Sequence, residues 1–136
     1  MLAVRYDLAK VSAALSKDDV LRRPPGMYRF RELTPLAPDE EPITLGEGGT
    51  PLLPLSRLAR HLGFRHLWAK DEGQNPTGSF KARGLGMALT KARTLGVTGL
   101  MIPSAGNAGG AAAVYGARGG IPVAVVVPRG TPEAMR

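Results

Sequence analysis

The sequence predicts an α/β fold: an incomplete three-layer parallel sheet with flanking helices. Strand-like and helix-like segments alternate from His66 onward, which is typical of parallel strands joined by right-handed crossovers. The segment Pro122–Val127 is apolar without alternation, as expected where helices cover both faces of a sheet. The 18 glycines and 12 prolines fall between apolar runs, where turns and close packing need them.

The first third of the chain predicts a helix followed by irregular structure. Asp7–Leu21 has apolar residues at a loose helical spacing, and the Arg-Arg-Pro-Pro-Gly run at 22–26 ends that helix because proline cannot continue it. Residues 27–54 are rich in proline and glycine and predict extended segments and turns. Leu55–Leu62 predicts a short helix with Ser56 as its cap.

The remainder predicts three strands and two longer helices. The strands are expected at His66–Lys70, Leu100–Ile102 and Pro122–Val127. One helix is expected over Ser79–Leu95, with Ser79 as its capping residue, and an alanine-rich helix over Asn107–Arg118. Three parallel strands leave apolar faces and edges bare, so we expect a truncated chain.

Composition excludes several classes of protein. The net charge of +7 is scattered rather than gathered in a basic stripe, so we expect no nucleic-acid partner. Without cysteine there is no disulfide, thiolate metal site or cysteine nucleophile, and the spacing of His61 and His66 does not suit a metal. The apolar run Val123–Val127 is too short to cross a membrane. We expect a soluble, cytoplasmic protein with neither a metal nor a membrane partner.

Segment 75–84, Asn-Pro-Thr-Gly-Ser-Phe-Lys-Ala-Arg-Gly, places Lys81 in the first turn of a predicted helix. The helix dipole is unfavourable to a cation there and favours the neutral amine, the form that condenses with an aldehyde. Taken alone, the motif is also that of an ordinary solvated lysine.

Two further segments are rich in glycine. Segment 103–110, Pro-Ser-Ala-Gly-Asn-Ala-Gly-Gly, turns from a strand into a helix and would expose backbone N–H groups to a carboxylate or phosphate. Asn107 would stand at the carboxyl edge of the strand, where α/β sheets bind ligands, although a plain helix cap fits equally. Leu45–Leu52 lacks the Gly-Lys-Ser/Thr ending of a nucleotide loop and predicts a turn leading into an extended segment.

In this order, the three segments resemble the opening of fold-type II pyridoxal-phosphate enzymes with the tryptophan synthase β-like fold, and the threonine synthase family most of all. Leu45–Leu52 resembles that family's first motif, Glu72–Lys81 its cofactor-lysine segment, and Ser104–Asn107 its substrate-carboxylate loop. The resemblance covers roughly residues 20–136, and three ordered motifs are more specific than any one of them.

The resemblance implies the cofactor pyridoxal 5′-phosphate, attached to Lys81 and contacted by Phe80 and Asn107. Lys81, once released by substrate, would move protons at the substrate's α and β carbons. The implied substrate-binding residues are Ser104, Ala105, Gly106 and Asn107. In the threonine synthase family the substrate is O-phosphohomoserine, which loses phosphate and gains water to become threonine.

The resemblance also implies an organisation in two domains. Residues 1–98 would hold an N-terminal extension and the start of the large cofactor-binding domain, and residues 99–136 the start of a second α/β domain. In such enzymes the loop for the cofactor phosphate and the partner of its pyridine nitrogen come later. We therefore expect an N-terminal fragment that is inactive by itself and a homodimer at full length.

Two alternatives stay open. Ala82 stands where many threonine synthases carry aspartate, and the version Lys81–Gly84 also resembles threonine and serine dehydratases of the same fold. The other alternative is a non-catalytic module that binds an anion at the helix start near Asn107.

Overall fold

The computed structural model describes residues 4–133, so residues 1–3 and 134–136 of the two expected domains lie outside the described part. The helices are α1 (Leu8–Ala14), α2 (Lys17–Arg22), α3 (Ser56–His61), α4 (Lys81–Thr94) and α5 (Asn107–Gly119). The strands are β1 (Leu52–Pro54), β2 (Trp68–Lys70), β3 (Leu100–Pro103) and β4 (Val123–Val126). Short 3₁₀ helices occupy Met27–Leu33 and Glu72–Gln74.

The four strands form two separate sheets. Strands β3 and β4 pair in parallel, from Leu100 opposite Val123 to Pro103 opposite Val126, with α5 as the crossover. This pair confirms the α/β class. The expected parallel pairing of His66–Lys70 with the later strands is wrong, because β2 pairs antiparallel with β1. The reason is proximity along the chain: β1 and β2 flank α3 directly, and Leu55 N–H extends their ladder by bonding to the carbonyl of Leu67.

The N-terminal helical region is broken in two. Leu15 is extended and Ser16 begins a new helix with a capping box: its hydroxyl accepts from Asp19 N–H at 3.1 Å, and the Asp19 carboxylate accepts from Ser16 N–H at 3.0 Å. These two hydrogen bonds satisfy two backbone N–H groups that have no acceptor within the helix. They therefore favour a second helix that begins after Ser16 over one continuous helix. The expected extended structure at 27–33 is instead a 3₁₀ helix.

The N-terminal caps of α4 and α3 are Phe80 and Leu55, so the expected caps Ser79 and Ser56 are wrong. The long helix at the predicted lysine, α4, is present but begins two residues later than expected. Lys81 is its first residue, and the Ser79 hydroxyl accepts a hydrogen bond of 3.3 Å from Lys81 N–H. The helix ends before Gly96, whose φ of +71° is the left-handed conformation that glycine adopts readily.

The core lies between α4, α5 and the segment at Ile43. Its buried members are Ile43, Ala82, Leu89, Tyr115 and Ile121. They come from both sides of the expected domain boundary at 98/99, which stays a prediction. No helix within residues 4–133 has the length and apolarity needed to cross a bilayer.

Helix α5 lies unusually close to β4 because its inward face carries glycine. A Cβ atom on Gly116 would stand 2.3 Å from Val123 Cγ2 and 2.8 Å from the carbonyl oxygen of Ile121. A Cβ on Gly109 would stand 2.8 Å from Val125 Cγ1. The absence of side chains at these two positions therefore sets the distance between helix and sheet.

The two faces of α5 should respond oppositely to the same substitution. Gly116→Ala should lower the free energy of unfolding by about 1–3 kcal/mol, because the methyl group overpacks the contact with β4. Gly110→Ala, on the open face with nothing within 4 Å of a new Cβ, should raise it by about 0.5–1 kcal/mol. Urea unfolding of both variants measures the difference, and equal effects would contradict the packing described.

Candidate active site

Lys81 stands at the start of α4 beside an exposed aromatic ring. Its Nζ lies 4.7 Å from the centroid of the Phe80 ring, and Phe80 is 58% exposed. Within residues 4–133, no carboxylate lies at ion-pair distance from the Lys81 amine. Phe80 therefore offers this half-buried amine a cation–π contact in place of an acidic partner.

A polar network holds the segment that leads to Lys81. Arg83, two residues further into α4, binds the Glu72 carboxylate through both its Nε, at 2.7 Å, and its Nη2, at 2.8 Å. The Thr50 hydroxyl donates to Glu72 Oε1 at 2.6 Å, and the Asn75 amide donates to Glu72 Oε2 at 3.0 Å. Four donors thus occupy one carboxylate, which fixes its orientation.

The network shifts the ionisation of Glu72. The Arg83 guanidinium, with help from the Thr50 hydroxyl and the Asn75 amide, lowers the pKa of Glu72 from 4.5 to about 2. The same pairing raises the pKa of Arg83. Both side chains are therefore charged at neutral pH.

The network also joins the first glycine-rich motif to the lysine segment. Gly48 N–H donates to Asn75 Oδ1 at 3.0 Å, and the Lys70 amine donates to the carbonyl of Thr50. Gly48 has a φ of +91°, and a Cβ there would stand 2.5 Å from Met27 N and 3.1 Å from Arg83 Nη1. Glycine is required at this position by both backbone conformation and space.

Glu47, in the same motif, is a buried carboxylate that reaches both long helices. It is 1% exposed, and its Oε2 accepts from the Tyr115 hydroxyl at 2.7 Å, the Thr44 hydroxyl at 2.9 Å and Leu45 N–H at 3.0 Å. Burial, followed by the hydrogen bond to Glu47, raises the pKa of Tyr115. The other carboxylate oxygen of Glu47, Oε1, has no hydrogen-bond partner among the described residues. It faces Gly86, where a Cβ atom would stand 2.9 Å away.

These contacts show how α4 and α5 are aligned. Gly86 lies against the Tyr115 ring, and about one turn later Thr90 and Gly119 both contact Ile43. The two helices therefore run in the same direction. Their first residues stand at the same end of the helix pair, offset by about one turn. The structure thus brings the lysine segment and the 103–110 turn to one end of the fold.

In the 103–110 turn, Ser104 has an organising role. Its hydroxyl accepts from Gly109 N–H at 2.9 Å and from Gly106 N–H at 3.3 Å. The helix cap is Gly106, so the alternative of Asn107 as the cap is wrong; Asn107 is the exposed first residue of α5. The first N–H groups of α5 lack intrahelical acceptors and point out of this end of the helix.

Sequence reasoning named the residues at the two helix starts but missed the network behind them. Glu72, Thr50 and Asn75 lie in recognised motifs, yet only the structure shows that they meet around Arg83. Arg83 also lines a cavity of about 710 Å³. Lys81, Ser104 and Asn107 do not line that cavity.

Comparison with known proteins identifies the class. Residues 43–136 match the family model described as pyridoxal-phosphate dependent enzyme. The fold resembles a crystal structure of an O-acetylserine dependent cystathionine β-synthase from Helicobacter pylori, with a TM-score of 0.53 and 25% identity over 65% of this chain and 30% of that one. The chain belongs to the family of pyridoxal-phosphate dependent enzymes.

Within this family the chain is similar to threonine synthases, which confirms the resemblance found in the motifs. It is 42% identical over 130 residues to the threonine synthase of Methanosarcina acetivorans, covering 96% of this chain and 31% of that protein. It is 37% identical to that of Methanocaldococcus jannaschii, with 96% and 32% covered, and 47% identical over 102 residues to that of Mycobacterium leprae, with 74% and 28% covered. The chain spans about a third of the length of these relatives.

The Glu72 network should make stability depend on pH. The pKa of Glu72 is lower in the folded state than in the unfolded state. The ion pair therefore stabilises the fold fully above pH 4.5, and this stabilisation is lost as the pH falls towards 2. We expect Glu72→Gln to be less stable than the wild type at neutral pH, and the gap to narrow across this acid range. Urea unfolding at a series of pH values measures the gap. A gap that stays constant with pH would contradict the ion pair.

Proposed function

We propose that these residues belong to a threonine synthase, which converts O-phosphohomoserine and water to threonine and phosphate with pyridoxal 5′-phosphate as cofactor. The observation that carries the proposal is the setting of Lys81. Its amine has no acidic partner among the described residues and stands at the same end of the α4–α5 pair as the 104–107 loop. Because the chain spans about a third of its relatives' length, the proposal concerns the protein that carries this sequence.

The chemistry of the donor set fits the cofactor. A primary amine without a carboxylate partner is suited to condense with an aldehyde, and an exposed ring beside it offers a surface for a planar heterocycle. We assign attachment of the cofactor to Lys81, and non-covalent contacts with it to Phe80 and Asn107. The bound cofactor supplies an electron sink at the substrate's α carbon.

We assign proton transfer to Lys81 and binding of the substrate carboxylate to the 104–107 loop. With cofactor and substrate bound, the Lys81 amine would be the base that takes a proton from the α carbon and returns protons further along the substrate. The substrate carboxylate is held by the loop Ser104, Ala105, Gly106 and Asn107. The N–H groups of Asn107 and Ala108, which have no hydrogen-bond partner among the described residues, would suit a carboxylate together with the positive end of the α5 dipole. We further propose that the full enzyme is a homodimer.

The dehydratase alternative rested on Ala82. Ala82 is fully buried in the core cluster that includes Leu89 and Tyr115. An alanine there reflects core packing in this chain and is weak support for one substrate over another. The similarity to threonine synthases therefore favours O-phosphohomoserine over threonine as the substrate.

Substitution of the lysine tests the cofactor assignment. With pyridoxal phosphate, the wild type should develop the visible absorbance of a lysine-bound cofactor, and borohydride should fix the label on the Lys81 peptide. Lys81→Ala should lose both signals, while Lys91→Ala, in the same helix but paired with Glu40, should keep them. Absorbance that survives in Lys81→Ala would contradict the assignment.

Product analysis tests the reaction. The protein that carries these residues should release phosphate from O-phosphohomoserine and form threonine, and Lys81→Ala should do neither. The competing outcome is formation of 2-oxobutyrate from threonine without phosphate release. That result would replace the synthase by a dehydratase of the same fold.

A further inference from the structure

We infer that Glu72 and Arg83 are positioning residues for Lys81: their ion pair closes the ends of segment 72–83 and fixes where the lysine amine stands. The inference rests on the proposed role of Lys81 in binding the cofactor. Neither residue was assigned a role from the sequence, and neither is placed in contact with cofactor or substrate.

The pair has the geometry of a clamp. Glu72 begins the 3₁₀ helix that leaves β2, and Arg83 lies in the first turn of α4. Two nearly parallel hydrogen bonds of 2.7 and 2.8 Å join them. A bidentate arginine–carboxylate pair restrains orientation as well as distance, which a single lysine contact does not. Lys81 lies inside the segment that this clamp closes.

Few side-chain hydrogen bonds hold the start of α4. Phe80, the N-terminal cap, makes no side-chain capping bond, and Lys81 N–H reaches the Ser79 hydroxyl at only 3.3 Å. The lysine stem is flexible and contacts one exposed ring. The direction of the amine therefore depends on the backbone at 79–82. This backbone is held by the burial of Ala82, by turn hydrogen bonds from Ala82 N–H and Arg83 N–H, and by the Glu72–Arg83 ion pair that closes the segment.

The chain offers a matched control in the same helix. Lys91, in the third turn of α4, pairs with Glu40 at 2.6 Å and so also ties α4 to a distant segment. The Glu40 side chain is 11% exposed and that of Glu72 is 27% exposed, so both ion pairs are partly shielded from water and loss of either should lower stability. Only the Glu72 pair lies at the lysine's end of the helix.

The experiment uses pyridoxal phosphate as the probe. The full protein that carries these residues is used as wild type, Glu72→Gln, Arg83→Gln and Glu40→Gln; each is treated briefly with the probe, trapped with borohydride and digested. Mass spectrometry then gives the share of label on Lys81 relative to the other lysines, and urea unfolding gives stability. We expect the Lys81 share to fall about tenfold in Glu72→Gln and Arg83→Gln, because the amine is no longer held in a productive orientation. It should change less than about twofold in Glu40→Gln, in which α4 loses an ion pair remote from the lysine.

The outcomes separate the two proposals. If the wild type shows no preference for Lys81, the proposed function fails. If the wild type prefers Lys81 and both Glu72→Gln and Arg83→Gln keep that preference, or Glu40→Gln loses as much, positioning by the clamp is overturned. Glu72→Asp, which retains the charge on a shorter stem, provides a folded variant should Glu72→Gln unfold. An intermediate loss in Glu72→Asp supports the clamp, and a wild-type share overturns it.

Discussion

The arrangement of this protein depends on one buried carboxylate. Glu47 is almost completely removed from solvent, and the hydroxyl of Tyr115 on α5 donates to it while Gly86 on α4 leaves room for its second oxygen. Burying a carboxylate is unfavourable unless hydrogen bonds compensate, and the bonds from Tyr115, Thr44 and Leu45 offset part of this cost. The loop at 44–50 thereby sets how the two long helices lie together.

Parallel alignment of the two helices has a functional consequence. Helix starts carry positive potential, and α4 and α5 present theirs at the same end of the pair. One start bears an amine with no acidic partner among the described residues, and the other bears a turn organised by Ser104. In the proposed function, the amine and the turn at this end of the helix pair would together bind a substrate that is an amino acid.

The second polar cluster, around Glu72, serves the site locally. Glu47 determines how the helices pack, whereas Glu72 joins Thr50, Asn75 and Arg83 close to the lysine. The first glycine-rich motif contributes to both clusters, since Glu47, Gly48 and Thr50 follow one another in it. This motif needs glycine at position 48, because the backbone there passes close to Arg83 and Met27. The first glycine-rich motif thereby contacts both the lysine segment and α5, which carry the proposed site.

The sequence by itself determined the α/β class, the presence of the long helix across residues 81–94 and the family, because these depend on local periodicity and ordered motifs. It misjudged the partner of His66–Lys70, since three-residue strands carry almost no signal of direction or pairing. It also could not show that Glu72 meets Arg83 or that Glu47 meets Tyr115, a residue 68 positions away. Only the tertiary structure decided these contacts, because a hydrogen bond between distant segments depends on packing that no local pattern of residues encodes.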